Sequence, residues 1–210
     1  MSIVFIISAP SGSGKSTLVN QLMDEDRKRE NELQFSVSVT TRAPREGETN
    51  GVEYEFLTRE EFLELRERDE LLESAEVFGN FYGTSREVLR KAEAAGKDLI
   101  LDIDVQGASQ LREKLQGAVT IFILPPSRQE LEKRLRLRSS DSDEVIERRL
   151  REAAHEVLDY HKYDYVLVND QLAESFERLR GIILAERGRT VRCEERVAEI
   201  LGSFEQDGNQ

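Results

Sequence analysis

Cysteine is almost missing from this chain: Cys193 is the single thiol in 210 residues, so no intramolecular disulfide can form and a reducing compartment fits. Histidine is nearly as scarce. His155 and His161 have no cysteine or histidine partner at ligand spacing; both are expected to face solvent, and a metal site built by protein alone is not expected. No apolar run approaches membrane-spanning length, and the N-terminus enters an apolar strand without a basic region or a cleavage-like pattern. The expected location is therefore the cytoplasm, with no membrane partner. Positive charge is also in deficit, 30 Lys and Arg against 42 Asp and Glu for a net charge of −12. That excludes a general nucleic-acid surface, whose sequence-independent affinity comes from exposed cations. Any phosphate site must concentrate its cations locally. There is no internal repeat and no low-complexity linker. With 38% apolar and 34% charged residues, the length suits one well-cored α/β domain with insertions.

What is present centres on Ile7 to Leu18, reading I-S-A-P-S-G-S-G-K-S-T-L. It follows the apolar run Ile3 to Ile7 and precedes a helix-like segment, the strand-to-helix setting of a P-loop. Small residues let successive backbone N–H groups turn toward phosphate oxygens, and the first helical turn adds unpaired donors and a positive dipole end. Ala9, Pro10, Ser11, Gly12, Ser13, Gly14, Lys15, Ser16 and Thr17 are thus read as the nucleoside triphosphate site. Lys15 would reach the β- and γ-phosphates and Ser16 would hold Mg²⁺. The strict pattern has Gly where this chain has Ala9. A second apolar run, Asp98 to Asp104, ends in Asp102 and Asp104 and looks like a Walker B strand; Asp102 would complete the Mg²⁺ site.

The rest of the chain alternates strand and helix patterns around one irregular region. Leu33 to Val39 alternates apolar and polar residues as one half-buried strand. A loop follows, with Arg42 and Arg45, Pro44, Gly47 and an Asn50-Gly51 turn signal. Val52 to Phe56 reads as a strand, Arg59 to Glu67 as a helix, and Leu71 to Phe78 as a strand carrying Glu73. Ser85 caps a helix that ends at Gly96. Later come a helix from Ala108 to Leu115, a strand from Val119 to Leu124, a helix capped by Ser127, and a helix from the 139–143 hinge to about Tyr160. Arg134 and Arg138 share a stripe, and Arg148 and Arg149 flank a buried one. A strand from Tyr165 to Val168 leads into Asn169-Asp170 and a closing helix from Leu172 to about Arg187. The remainder is expected to be a frayed helix with a disordered end.

Several stretches carry a resemblance to the guanylate kinase family, in family order from Ile3 to about Arg187. They are A-P-S-G-S-G-K-S, then S-V-S-V-T-T-R-A-P-R-E-G-E-x-N-G-x-x-Y over Ser36 to Tyr54, L-L-E at Leu71 to Glu73, G-N-F-Y-G-T-S at Gly79 to Ser85, L-D-I-D-V-Q-G at Leu101 to Gly107, and V-N-D at Val168 to Asp170. The resemblance implies a P-loop NTPase-type parallel sheet flanked by helices, with a small β-rich GMP-binding insertion and a helical lid. The kinase-like domain would span residues 1–187, with a core of 1–35, 86–125 and 150–187, an insertion of 36–85 and a lid of 126–149. Residues 188–210 would form a polar tail. The implied reaction moves the γ-phosphoryl group of ATP to GMP, and to dGMP, with Mg²⁺.

Ser38, Arg42, Arg45, Tyr54, Glu73, Tyr82, Gly83, Thr84 and Asp104 match the GMP site. Glu73 would accept from guanine N1–H and the N2 amine, and the arginines and tyrosines would clamp the phosphate. Arg134, Arg138 and Arg149 match lid residues that act in catalysis with Lys15 and Arg42, and Asn169 and Asp170 match the ATP base and ribose region. Leu137 and Ser139 stand where many members carry lid glycines. The helices near lid and tail leave room for a homodimer. Two alternatives stay open, a scaffold module that keeps the fold but binds peptides, and a P-loop kinase with another acceptor.

Overall fold

In the computed structural model, which describes residues 2–29, 31–45, 47–52, 54–77, 79–138 and 142–207, the main sheet is parallel throughout. Its strands β2 (Leu33–Phe35), β7 (Asp98–Asp102), β1 (Val4–Ser8), β8 (Val119–Leu124) and β9 (Tyr165–Val168) lie in that spatial order. The strands read as apolar runs because both faces are covered. Phe5, Ile7, Ile100 and Ile121 pack on one side with Leu18, Val19 and Leu22 of α1 (Lys15–Arg29) and Phe176, Leu179 and Ile183 of α7 (Leu172–Arg187). Ile6, Leu99, Leu101 and Phe122 pack on the other with Ala92 of α3 (Arg86–Ala95) and Ala108 and Leu111 of α4 (Val105–Lys114). Each such fully buried Leu, Ile or Phe contributes roughly 1.5–3 kcal/mol. Ile7 pairs with Asp102 and Ser8 with Phe122, so the loop after β1 opens beside the acid that ends β7.

A second sheet orders β4 (Tyr54–Phe56), β3 (Ser38–Thr40), β6 (Asn80–Ser85) and β5 (Leu71–Val77). Its small core joins Val39, Leu71 and Phe81 to Phe62 of α2 (Arg59–Glu67), with the Phe62 and Phe81 rings stacked at 5.3 Å. In β5 the register slips: Leu71 faces Ser85 and Glu73 faces Thr84, so Leu72 is the extra residue of a β-bulge. Leu72 turns into the main core, beside Ile6 and Leu101. The helices α5 (Arg128–Arg138) and α6 (Asp143–Glu156) join through Leu131, Leu135, Ile146, Leu150 and Ala153.

Several boundaries differ from the sequence expectation. The strand expected from Leu33 to Val39 is two strands in two sheets. The Ser36 N–H donates to Ile100 O at 2.9 Å as the last bond to the main sheet, and β3 then pairs with β4 and β6. The first helix, read from the sequence as Thr17 to about Met23, runs on to Arg29, because Asp26 is buried on it and accepts from the N–H groups of Glu32 and Leu33 at 3.2 and 3.0 Å. The strand expected from Val52 begins at Tyr54, and α4 starts at Val105, three residues early. The long lid helix stops at Glu156 and passes into a 3₁₀ turn, Val157–Lys162. The disordered end expected of the tail falls on residues 208–210, outside the described residues, and the frayed helix expected before it is a continuous one, α8 (Thr190–Asp207). Its first turn is tied down by Arg192, which donates to Glu186 and to Gly117 O, both at 3.4 Å. The expected caps at Ser85, Gly96 and Ser127 are formed. No helix is long and apolar enough to cross a membrane among the described residues.

Candidate active site

Gly12 and Gly14 adopt φ of +91° and +89°, which only glycine enters without strain, and the loop between them bends back through a bond from Ser13 N–H to Pro10 O at 3.1 Å. Space forbids a side chain as well: a Cβ on Gly12 would stand 2.8 Å from Leu135 Cδ2, and one on Gly14 2.3 Å from Asn169 Nδ2. Ala9, in place of the first glycine of the pattern, is buried in the core and is not among the residues with positive φ, so its methyl fits. Pro10 is buried, whereas Ser11, Ser16 and Thr17 are exposed where a ligand would arrive. Lys15 forms an ion pair with Asp102, and its Nζ also donates to Ile103 O at 2.7 Å. Mg²⁺ is commonly held by one or two protein oxygens plus phosphates and water, so a P-loop hydroxyl at Ser16 and the Asp102 carboxylate fit its needs. No group of three or more His, Cys, Asp or Glu able to hold a metal exists among the described residues.

Side chains of α5 and α6 reach this loop. Arg149 donates to Ser11 Oγ at 2.7 Å, and Arg134 donates to Glu130 at 3.1 Å, Asn169 O at 3.0 Å and Ser13 O at 3.4 Å. Asn169 is buried and donates from Nδ2 to Ser13 O at 2.8 Å, so it clamps the P-loop; Asp170 beside it is exposed. Arg138 ends α5, but its side chain lies outside the described part, as does Ser139 entirely. Leu137 is exposed. His155 and His161 face solvent as expected.

The second sheet carries the other half. Glu73 is 4% exposed and its Oε1 accepts from Thr84 Oγ1 at 2.8 Å. Burial pushes its carboxyl up to about 7, and the Asp104 charge adds to that, while the Thr84 bond and Lys114 pull the other way. Gly83 must be small: a Cβ there would stand 2.9 Å from Glu73 O. Asp104 does not lie on the strand with Asp102 as expected. The strand stops at Asp102, and exposed Asp104 caps α4 by accepting from Gly107 N–H at 2.7 Å. Ser38 is half-buried at the start of β3. Tyr54 and Tyr82 meet edge to face at 5.9 Å, and the Arg42 guanidinium lies 5.3 Å from the Tyr54 ring centre. Burial first and the Asp102 charge second raise the Tyr54 phenol above its ordinary range. Arg45 is exposed on the same loop.

Two residues here escaped sequence reasoning. Glu48 accepts from Arg42 Nη2 at 2.8 Å and from Arg45 N–H at 2.7 Å, which holds its carboxyl low and Arg42 high. The quoted motif does contain Glu48, but nothing in its spacing tells a loop brace from a solvated charge. Glu156, at the end of α6, is pushed up to about 7 by burial and then by Asp104 and Glu152, with Lys15 opposing. Its place three residues after buried Ala153 was the available signal.

A glycine loop between strand and helix that is contacted by arginines of two later helices, together with a second sheet that holds a buried acid, is a layout suited to a nucleoside monophosphate kinase. The family model for guanylate kinase matches residues 1–186. A guanylate kinase of Geobacter sulfurreducens is 51% identical over 199 residues, spanning 95% of this chain and 96% of its own. One of Koribacter versatilis is 58% identical over 189 residues, spanning 89% and 79%. The crystal structure of guanylate kinase from Anaplasma phagocytophilum superposes with a TM-score of 0.74 at 39% identity, covering 91% of this chain and 89% of that one. The chain belongs to the guanylate kinase family, and it is an enzyme.

Proposed function

We propose that the chain transfers the γ-phosphoryl group of ATP to GMP, and to dGMP, giving ADP and GDP or dGDP, with the residues in the following roles. The P-loop from Ala9 to Thr17 holds the triphosphate, Lys15 follows the β- and γ-phosphates, and Asn169 and Asp170 border the nucleoside. Ser16 and Asp102 would hold Mg²⁺, which would supply positive charge against that of the phosphates. Glu73, ionised, accepts from guanine N1–H and the N2 amine, while Ser38, Gly83, Thr84 and Asp104 complete the base pocket. Arg42, Arg45, Tyr54 and Tyr82 fix the GMP phosphate, with forked guanidinium donors suited to its oxygens. One of those oxygens bonds to the γ-phosphorus as the bridge to ADP breaks. That oxygen is already anionic near neutral pH, so no general base is required. Arg134, Arg138 and Arg149 stabilise charge on the transferring group.

The working parts follow the ranges 36–85 for the acceptor insertion and 126–149 for the lid, on a core of 1–35, 86–125 and 150–187 with a tail of 188–210. Closure of insertion and lid excludes water and limits ATP hydrolysis. The compartment of action would be the cytoplasm, as a chain with a single cysteine fits. A homodimer would use exposed Val197, Ile200, Leu201 and Phe204 of α8; sedimentation as a monomer at every concentration would exclude it.

The observation that carries the acceptor assignment is buried Glu73 aligned by Thr84, because guanine presents two adjacent donors to a carboxylate and adenine does not. The test is steady-state ADP release from ATP and Mg²⁺ with GMP, dGMP, IMP, AMP, CMP and UMP. Turnover is expected to concentrate on GMP and dGMP. Equal use of AMP or UMP would overturn the base assignment, and no turnover in folded protein would favour the peptide-binding scaffold. Glu48→Ala is expected to raise KM for GMP ~10-fold, by loosening Arg42 and the Arg45 backbone, with KM for ATP unchanged. A fall in KM would mean that Glu48 competes with the phosphate.

A further inference from the structure

The β-bulge at Leu72 leaves the acid it re-aims, Glu73, on an edge strand, since β5 ends its sheet. An edge strand has backbone groups that its sheet does not pair. Here those groups are bonded by side chains of α4, on both sides of Glu73. Lys114 Nζ donates to Leu72 O at 2.8 Å. Gln110 donates from Nε2 to Ser74 O at 2.9 Å, and its Oε1 accepts from Ser74 N–H at 3.3 Å, so its amide takes the place of a neighbouring strand. On the same face of α4, Gly107 leaves room for the carboxylate: a Cβ there would stand 3.0 Å from Glu73 Oε2. Gly107, Gln110 and Lys114 recur at i, i+3 and i+7, one stripe of a helix.

We propose that Gln110 and Lys114 are positioning residues for acceptor selection: they hold the bulge so that the Glu73 carboxylate meets two donors of the acceptor base at once. This rests on the reading of Glu73 as the guanine acceptor. A carboxylate that swings or tilts keeps one hydrogen bond and loses the second. The second is what separates GMP from IMP, whose base lacks the N2 amine. The charged groups that act on Glu73 are Asp104, the cap of α4, and Lys114 at its end; Thr84 from β6 bonds to it, and of these Lys114 is the cation. Its loss therefore also moves the pH at which Glu73 ionises, upward.

The test compares wild type, Gln110→Leu, Lys114→Met and Lys114→Arg for kcat/KM with GMP and IMP across pH, with KM for ATP and a thermal melt in parallel. The GMP-to-IMP ratio is expected to fall about tenfold in Gln110→Leu and Lys114→Met, with KM for ATP unchanged. The acid limb for GMP is expected to shift to higher pH in Lys114→Met and to return in Lys114→Arg. A ratio and an acid limb that stay at wild-type values overturn the proposal, even if activity or melting temperature drops. A wild type that does not prefer GMP over IMP overturns the Glu73 assignment itself, and the proposal with it.

Discussion

Lys15→Met is expected to lower kcat by roughly 10³-fold, because it removes the one lysine of the P-loop from the charge that develops on the transferring phosphoryl group. The structure adds a second consequence. Lys15 is also the ion-pair partner of Asp102, and both side chains are largely buried, 16% and 13% exposed. Removing one member of such a pair leaves the other charge without compensation, whereas removing both does not. The single variant is therefore expected to melt lower by several degrees, corresponding to about 2 kcal/mol. Lys15→Met combined with Asp102→Asn is expected to recover most of that stability and none of the activity. Kinetics and a melt on the same samples separate the two effects. A double variant that melts as low as the single one would show that the ion pair is not what the lysine contributes to the fold, and a single variant with wild-type kcat would remove Lys15 from the chemistry.

The contrast between Lys15 and its surroundings shows what was legible in the sequence. Lys15, Ser16 and the two glycines fall within five consecutive residues, and so short a motif needs only a strand before and a helix after. Main-sheet strands were legible because burial on both faces makes them unbroken apolar runs. The insertion was harder. From Leu33 to Val39 the alternation never falters, since alternation reports a half-buried strand and not which sheet it joins; only the bond from Ser36 to Ile100 marks the crossing. The bulge at Leu72 is equally hidden in L-L-E, because an extra residue is visible only against its partner strand. Gln110 and Lys114 act on residues 36 and 42 positions away, distances at which spacing carries no signal. Asp104 was misplaced for a local reason: two acids two apart read as one strand face, but an aspartate that accepts from the N–H three residues on is a helix cap. The tail was underestimated because α8 leaves much of its apolar set exposed, so its weak pattern understated a helix whose first turn is anchored to Glu186 and Gly117.

Glu73→Gln is expected to lower kcat/KM for GMP by roughly 10³-fold while leaving KM for ATP unchanged. The amide keeps the shape of the carboxylate but turns one of its two acceptors into a donor, facing a guanine edge that already presents donors. For adenine, with an acceptor next to a donor, the same change removes a mismatch, so the GMP-to-AMP ratio is expected to fall by about the same factor. The pH behaviour follows from the carboxyl standing at about 7 in place of its ordinary 4.5. Below about 7 the acid is protonated and cannot accept from both donors, so GMP use in the wild type is expected to fall toward tenfold per pH unit on the acid side, and Glu73→Gln is expected to lose that contribution. AMP bears the same phosphate without the donor pair that Glu73 accepts, and serves as the control for its titration. Stability runs the opposite way. A carboxyl raised in the folded state binds its proton more tightly there than in the unfolded chain, so folding is favoured below pH 4.5 and that advantage is lost as pH rises through about 7. At pH 8 the wild type therefore carries a buried, charged acid that destabilises it by on the order of 3 kcal/mol. Glu73→Gln, free of that charge, is expected to melt higher than wild type at pH 8 and close to it at pH 4.5. A variant that loses both GMP preference and stability at pH 8 would mean that the Thr84 bond outweighs the desolvation of the acid; one that keeps its GMP preference would remove Glu73 from base recognition altogether.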